Sequence, residues 1–218
     1  RSFMQQLASE SSSPSILRAS SYRDALALGL LALRPLRRRN MSRLILGQHL
    51  TIKNGNWDCF IPGEQTKDRL PINIVLPKDH LFSKAFNRYL MTERQVLMKQ
   101  SPLDIDEIPN LQGPLWVSTH GKMMTDHAFY YSIIRISNTI CGAPINPHLL
   151  RDCAASAIST DAPENILASG RILGHSNLKT TLKHYEQSSM LAASENLRTF
   201  IEQIQSQAND GRGRFKSV

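Results

Sequence analysis

At 218 residues, with 41% hydrophobic and 20% charged side chains, the chain has the size and balance to bury a core as one large domain or two small ones. Its three cysteines, Cys59, Cys141 and Cys153, are scattered and form no CxxC pair, which argues against a disulfide framework or a zinc site and fits a reducing, cytoplasmic setting. The longest apolar run, Ala25 to Leu33, is too short to span a bilayer, and an excess of 26 Lys+Arg over 18 Asp+Glu, a formal charge of +8, favours a polyanionic partner, nucleic acid before membrane.

Residues 1–20 are Ser-rich and read as a linker or arm. Ser21 with Asp24 has the capping-box pattern of a helix start, and Pro35 interrupts the Leu/Ala helix that would follow. LRRRNMSRLIL then reads as a short second helix with an arginine-rich start. After Gly47 the periodicity changes. HLTIK and WDCFIP flank Asn54-Gly55, a pair that tolerates the positive φ of a type I′ turn, and LPINIVLP alternates like a third strand. Lys67 falls in the turn between the second and third of these strands.

From Leu81 onward the pattern is helical, with apolar positions at three-to-four spacing over 81–99 and 125–140 and a loop containing Pro102, Pro109 and Pro114 between them. Asn146-Pro147 is a helix start, with Asn as N-cap and Pro where no amide is needed. Asp161 with Glu164 starts another helix that Gly174 ends, and a tail helix carries Met190, Leu197, Phe200, Ile201 and Ile204 on one face. The last residues, 207–218, read as a basic flexible tail. The expected fold class is therefore α+β, mainly α, with a small three-stranded antiparallel sheet.

Four residues near the C-terminal end invite a chemical reading. His148 and Arg151 share one face of a helix's first turn, where backbone amides also favour an anion. His175 follows Gly174, where the chain turns sharply, and Tyr185 stands ten residues later. Each has a duller account alone: a solvated Arg, a surface His, a capped turn, a Tyr that packs its ring and wets its hydroxyl. Together they provide two phosphate-holding groups, a proton carrier and a phenol. A phenol of pKa about 10 needs such company to attack at neutral pH.

These segments resemble the catalytic domain of tyrosine recombinases, the phage-integrase family, whose HxxR, LGH and tyrosine boxes appear as His148-Arg151, Leu173-Gly174-His175 and Tyr185. The family's upstream arginine box matches Pro35-Leu36-Arg37-Arg38-Arg39-Asn40, which points to Arg37, with Arg38 as the alternative register. Its hairpin lysine matches Lys67 in Thr66-Lys67. Pro35 stands for the usual glycine and Asn40 for the usual acid, so the arginine is expected to lack its carboxylate partner. The resemblance covers roughly residues 20–205, so 21–206 is expected to be the catalytic domain, and the family's N-terminal core-binding domain is expected to be absent from this chain.

The resemblance implies metal-independent, cofactor-free DNA strand transfer in the bacterial cytoplasm or nucleoid, by an enzyme that acts as a homo-oligomer, a tetramer on DNA. Tyr185 would attack phosphorus to give a 3′-phosphotyrosyl link and a free 5′-hydroxyl. Arg37 and Arg151 would stabilise the non-bridging oxygens, Lys67 would protonate the leaving oxygen, His148 would accept the tyrosine proton, and His175 would brace the phosphate. The tail helix would dock on its own domain or on a neighbouring protomer. Two rivals stay open: a type IB topoisomerase-like relaxing enzyme, and a DNA-binding module without turnover.

Overall fold

The computed structural model describes residues 15–161. The chain divides after Arg151 into two compact units, and of the second unit only the continuation of one helix falls within the described residues. The elements are α1 (Ile16–Leu33), α2 (Arg38–Ser42), β1 (Ile45–Leu46), β2 (Leu50–Lys53), β3 (Asn56–Ile61), β4 (Ile72–Leu76), α3 (Leu81–Arg88), a π-helical turn (Tyr89–Glu93), α4 (Arg94–Met98), β5 (Gly113–Pro114), α5 (Asp126–Cys141) and α6 (Pro147–Asp161). This is a mainly helical α+β fold with a small sheet.

The first helix begins at Ile16 rather than after Ser21. Ser15 is its N-cap, accepting from the Arg18 amide at 3.3 Å. Ser20 inside the helix returns its hydroxyl to the Leu17 carbonyl at 2.8 Å, so it does not break the helix. Asp24 is not a cap residue. It lies buried between the guanidinium groups of Arg23 and Arg135, at 2.5 and 2.7 Å, pinning α1 to α5. The helix ends before Pro35 because proline cannot supply the amide that a further turn requires. The expected second helix is shorter than its sequence span. It stops at Ser42, and Ile45-Leu46 joins the sheet.

The sheet has five strands rather than three, in the order β4-β3-β2-β1-β5. The β2–β3–β4 meander is antiparallel, with Thr51 opposite Asp58 and Cys59 opposite Ile74. Asn54 and Gly55 both have positive φ, 52° and 78°, as the hairpin turn demands. The two additional strands are each two residues long: β1 runs parallel to β2 and antiparallel to β5. Pairs that short leave no alternation to detect in sequence.

Between helices and sheet lies a core that includes Leu26, Leu31, Trp57, Phe86, Tyr89, Trp116 and Phe129. Segment 112–117 is fastened by buried polar groups. Trp116 donates its indole N–H to the Met41 carbonyl, and Tyr89 donates its hydroxyl to Leu115. Arg23 donates to Val117, and Arg94 to Pro114 and Gln112. Satisfying these backbone carbonyls inside the core avoids the cost of burying them unpaired. Helix 81–98 is continuous apart from its π-helical turn, where Gln95 Nε2 donates to the Leu90 carbonyl at 2.8 Å. Asn146 caps α6 as expected, its Oδ1 accepting from the amides of His148 and Leu149 at 2.9 Å each. No helix among the described residues is long and apolar enough to cross a membrane.

Candidate active site

The candidate site residues that fall within the described part of the chain lie on three pieces far apart in sequence. The first is the extended link Pro35–Arg37 and the short helix α2. Arg37 occupies the N-cap position of α2, but its side chain does not cap that helix. It reaches instead to the turn after β3, where Nη1 donates to Asp68 Oδ1 at 2.6 Å. The pair is only partly open to water, with 24% of the Arg37 side chain and 4% of Asp68 exposed. Attraction there is screened less than in a surface pair.

The second piece is the turn from Pro62 to Leu70, which carries Lys67. It is folded tightly on itself. The Thr66 hydroxyl spans the carbonyls of Gly63 and Leu70, both at 2.9 Å. A Cβ on Gly63 would lie 2.4 Å from the Arg69 carbonyl oxygen, so only glycine lets the two arms approach this closely. Thr66 is buried and Lys67 exposed, so the turn is held from inside while the ammonium faces outward.

The third piece is the start of α6. Arg151 is buried at 7% exposure and donates through Nη1 to the Pro35 carbonyl. That contact spans 116 residues of sequence and brings the second arginine to the backbone segment that holds the first. His148 stands one turn earlier on the same helix and is exposed.

Arg37, Arg39, Arg43 and Lys67 line one cleft of about 500 Å³ with Asn40, His49, Glu64, Gln65 and Thr66. Among the described residues, four cations line it against one lining carboxylate, and even with Asp68 on Arg37 and Asp126 on Arg43 the balance favours an anion. His49 is held in one tautomer: Nδ1 accepts from the Ile45 amide at 3.1 Å, so Nε2 carries the hydrogen toward Gln65 Oε1 at 2.7 Å. Asn40 is 8% exposed, and its Nδ2 has no hydrogen-bond partner among the described residues. Arg38 is turned away from this cleft and lies over the Tyr130 ring, 5.3 Å from its centre. Of the two registers open for the first arginine, the one at Arg37 faces the cleft.

One expectation is overturned. Loss of the acid at Asn40 does not leave Arg37 without a carboxylate, because Asp68, in the turn after β3, supplies one. Asp68 and His49 escaped the sequence reading. Neither belongs to a local motif, and only the hairpin turn beside Lys67 offered a signal for Asp68. His175 and Tyr185 lie outside the described residues, as do the helix expected after Asp161 and the tail helix.

The fold is similar to that of a site-specific recombinase. Two solved structures carry the likeness, both of the XerH site-specific recombinase. One is its post-cleavage complex with palindromic difH substrate, with a TM-score of 0.61 and 17% identity, over 89% of this chain and 49% of that one. The other is its pre-cleavage complex with difH substrate, with a TM-score of 0.58 and 19% identity, over 88% of this chain and 49% of that one. The chain thus spans about half the length of those recombinases. No family model and no curated protein matches the sequence.

Proposed function

We propose that this chain is the catalytic part of a site-specific DNA recombinase that breaks and rejoins strands through a 3′-phosphotyrosyl intermediate. The observation that carries the reading is the convergence of Arg37, Lys67 and Arg151. The first two line one cationic cleft, and the third is anchored on the backbone two residues before the first. Double-stranded DNA is the partner, and a homotetramer on DNA is the expected assembly. XerH structures of similar fold are bound to difH substrate, which supports the choice of DNA as partner.

In the reaction the Tyr185 oxygen bonds to phosphorus as the bond to the 5′-oxygen breaks. Charge grows on the non-bridging oxygens, where the forked donors of Arg37 and Arg151 act. His148 takes the phenol proton, His175 braces the phosphate, and Lys67 gives a proton to the departing oxygen. A turn tied down by Thr66 and Gly63 suits that last task, since a general acid must be held at a fixed place.

The test is covalent trapping on duplexes carrying a nick beside the scissile phosphate and a randomised sequence around it, where the cut strand diffuses away. The chain should form a denaturant-resistant adduct, and failure with every duplex in the pool would overturn the reading. Lys67→Ala should slow adduct formation by ~10²–10⁴-fold, with DNA affinity retained. A substrate with sulfur in place of the leaving oxygen, which departs without a proton, should restore most of that loss. Arg37→Ala should cost about 10²-fold in single-turnover cleavage, and Arg38→Ala should leave the rate near wild type.

A further inference from the structure

We propose that Asp68 is the positioning carboxylate of this site, replacing the acid that is missing at Asn40 and fixing Arg37 and the Lys67 turn relative to each other. This rests on the recombinase reading above. Asp68 immediately follows Lys67, and its carboxylate is buried against the Arg37 guanidinium at 2.6 Å. One side chain therefore sets two distances: how far Arg37 extends into the cleft, and how close the turn carrying Lys67 stands to it.

The geometry also explains what fills position 40. A carboxylate there would share the cleft wall with Arg37, as the family pattern has it. Asn40 instead leaves a buried amide donor, Nδ2, that has no acceptor among the described residues and lines the same cleft. An unpartnered donor in a cationic cleft suits an anion and disfavours a cation. Moving the carboxylate from position 40 to position 68 keeps the arginine oriented and leaves an uncharged amide donor beside it.

A group that merely stabilised the fold would affect binding, melting and cleavage together when removed. A positioning carboxylate behaves differently. Its loss removes a negative charge from beside a DNA-binding cleft, so affinity for duplex should hold or rise, and the dependence of binding on salt should steepen. Cleavage should fall, because a small displacement of the reacting groups is enough to cost ~10²-fold.

The experiment measures three quantities for the 218-residue chain carrying Asp68→Ala, Asp68→Asn, and Asp68→Ala with Asn40→Glu. These are single-turnover cleavage of the nicked duplex pool, affinity for an unnicked duplex across a salt series, and melting temperature. Asp68→Ala should cleave roughly 10²-fold more slowly, with melting unchanged and duplex binding as tight as wild type or tighter. Asp68→Asn keeps an acceptor but no charge and should fall between. Asn40→Glu should recover cleavage in the Asp68→Ala background by returning a carboxylate to Arg37. Wild-type cleavage by Asp68→Ala would overturn the proposal. So would a slow variant that also melts early, binds DNA weakly and gains nothing from Asn40→Glu. Absence of any adduct with the unmodified chain would instead remove the recombinase reading itself, and this proposal with it.

Discussion

Replacing Tyr185 by Phe should abolish the covalent DNA adduct and leave duplex binding intact. The substitution deletes one oxygen, the atom that would bond to phosphorus, and keeps the ring. The other four tyrosines bear on how sharp this result should be. Tyr22 donates its hydroxyl to the Ala85 carbonyl at 3.1 Å, and burial, with Glu93 nearby, pushes its pKa up to about 12. Tyr89 is fully buried, its hydroxyl donates to Leu115, and burial raises its pKa well above the usual phenol range. Both raised values favour the protonated form at neutral pH, and neither oxygen reaches the cleft. Tyr130 and Tyr131 lie on α5, with Tyr130 under Arg38. Because a cation does approach Tyr130, Tyr130→Phe is the proper control and should trap DNA like wild type. The measurement is adduct yield on a denaturing gel together with affinity by mobility shift. An adduct that survived Tyr185→Phe and vanished with Tyr130→Phe would move the nucleophile to α5.

Much of the fold was legible because its signals are local. Asn54-Gly55 announces its turn through the φ values it tolerates, and Asn146-Pro147 announces α6 by capping chemistry. What was not legible depends on distant partners. Strands β1 and β5 exist because Ile45 and Leu46 meet Pro114 and Gly113, and nothing in two residues encodes that register. The start of α1 is hard to place from sequence because Ser15, Ser20 and Ser21 look alike there. Burial of Ala19 and Tyr22 against the core decides for Ser15.

The candidate site divides the same way. Arg37, Lys67, His148 and Arg151 sit in recognisable local contexts. Asp68 becomes meaningful only once a guanidinium 31 residues away is found on it. Asn40, read alone, leaves Arg37 without the family's acid. Asp68 gives Arg37 a carboxylate all the same, so the missing acid at position 40 is no evidence against the recombinase reading proposed above.

Arg151→Ala should have two separable consequences, which makes it the most demanding test of the arrangement. The first is on the fold. The guanidinium is buried and donates to the Pro35 carbonyl, so its removal leaves that oxygen unpaired beside a cavity. An orphaned buried acceptor costs about 1–3 kcal/mol, which chemical denaturation should register as a lower midpoint with an unchanged slope. The second is on the reaction. Removing one donor from a developing oxyanion typically costs ~10²–10³-fold, and single-turnover cleavage should fall by at least that much. Arg151→Lys separates the two. A lysine ammonium is long enough to donate to one acceptor, so it should recover much of the stability. It has no planar fork to hold the Pro35 carbonyl and a phosphate oxygen together, so cleavage should stay low. A lysine variant that regained both stability and rate would mean that Arg151 acts as a simple positive charge. One that regained neither would mean that the guanidinium's own shape is needed for the fold as well as for the reaction.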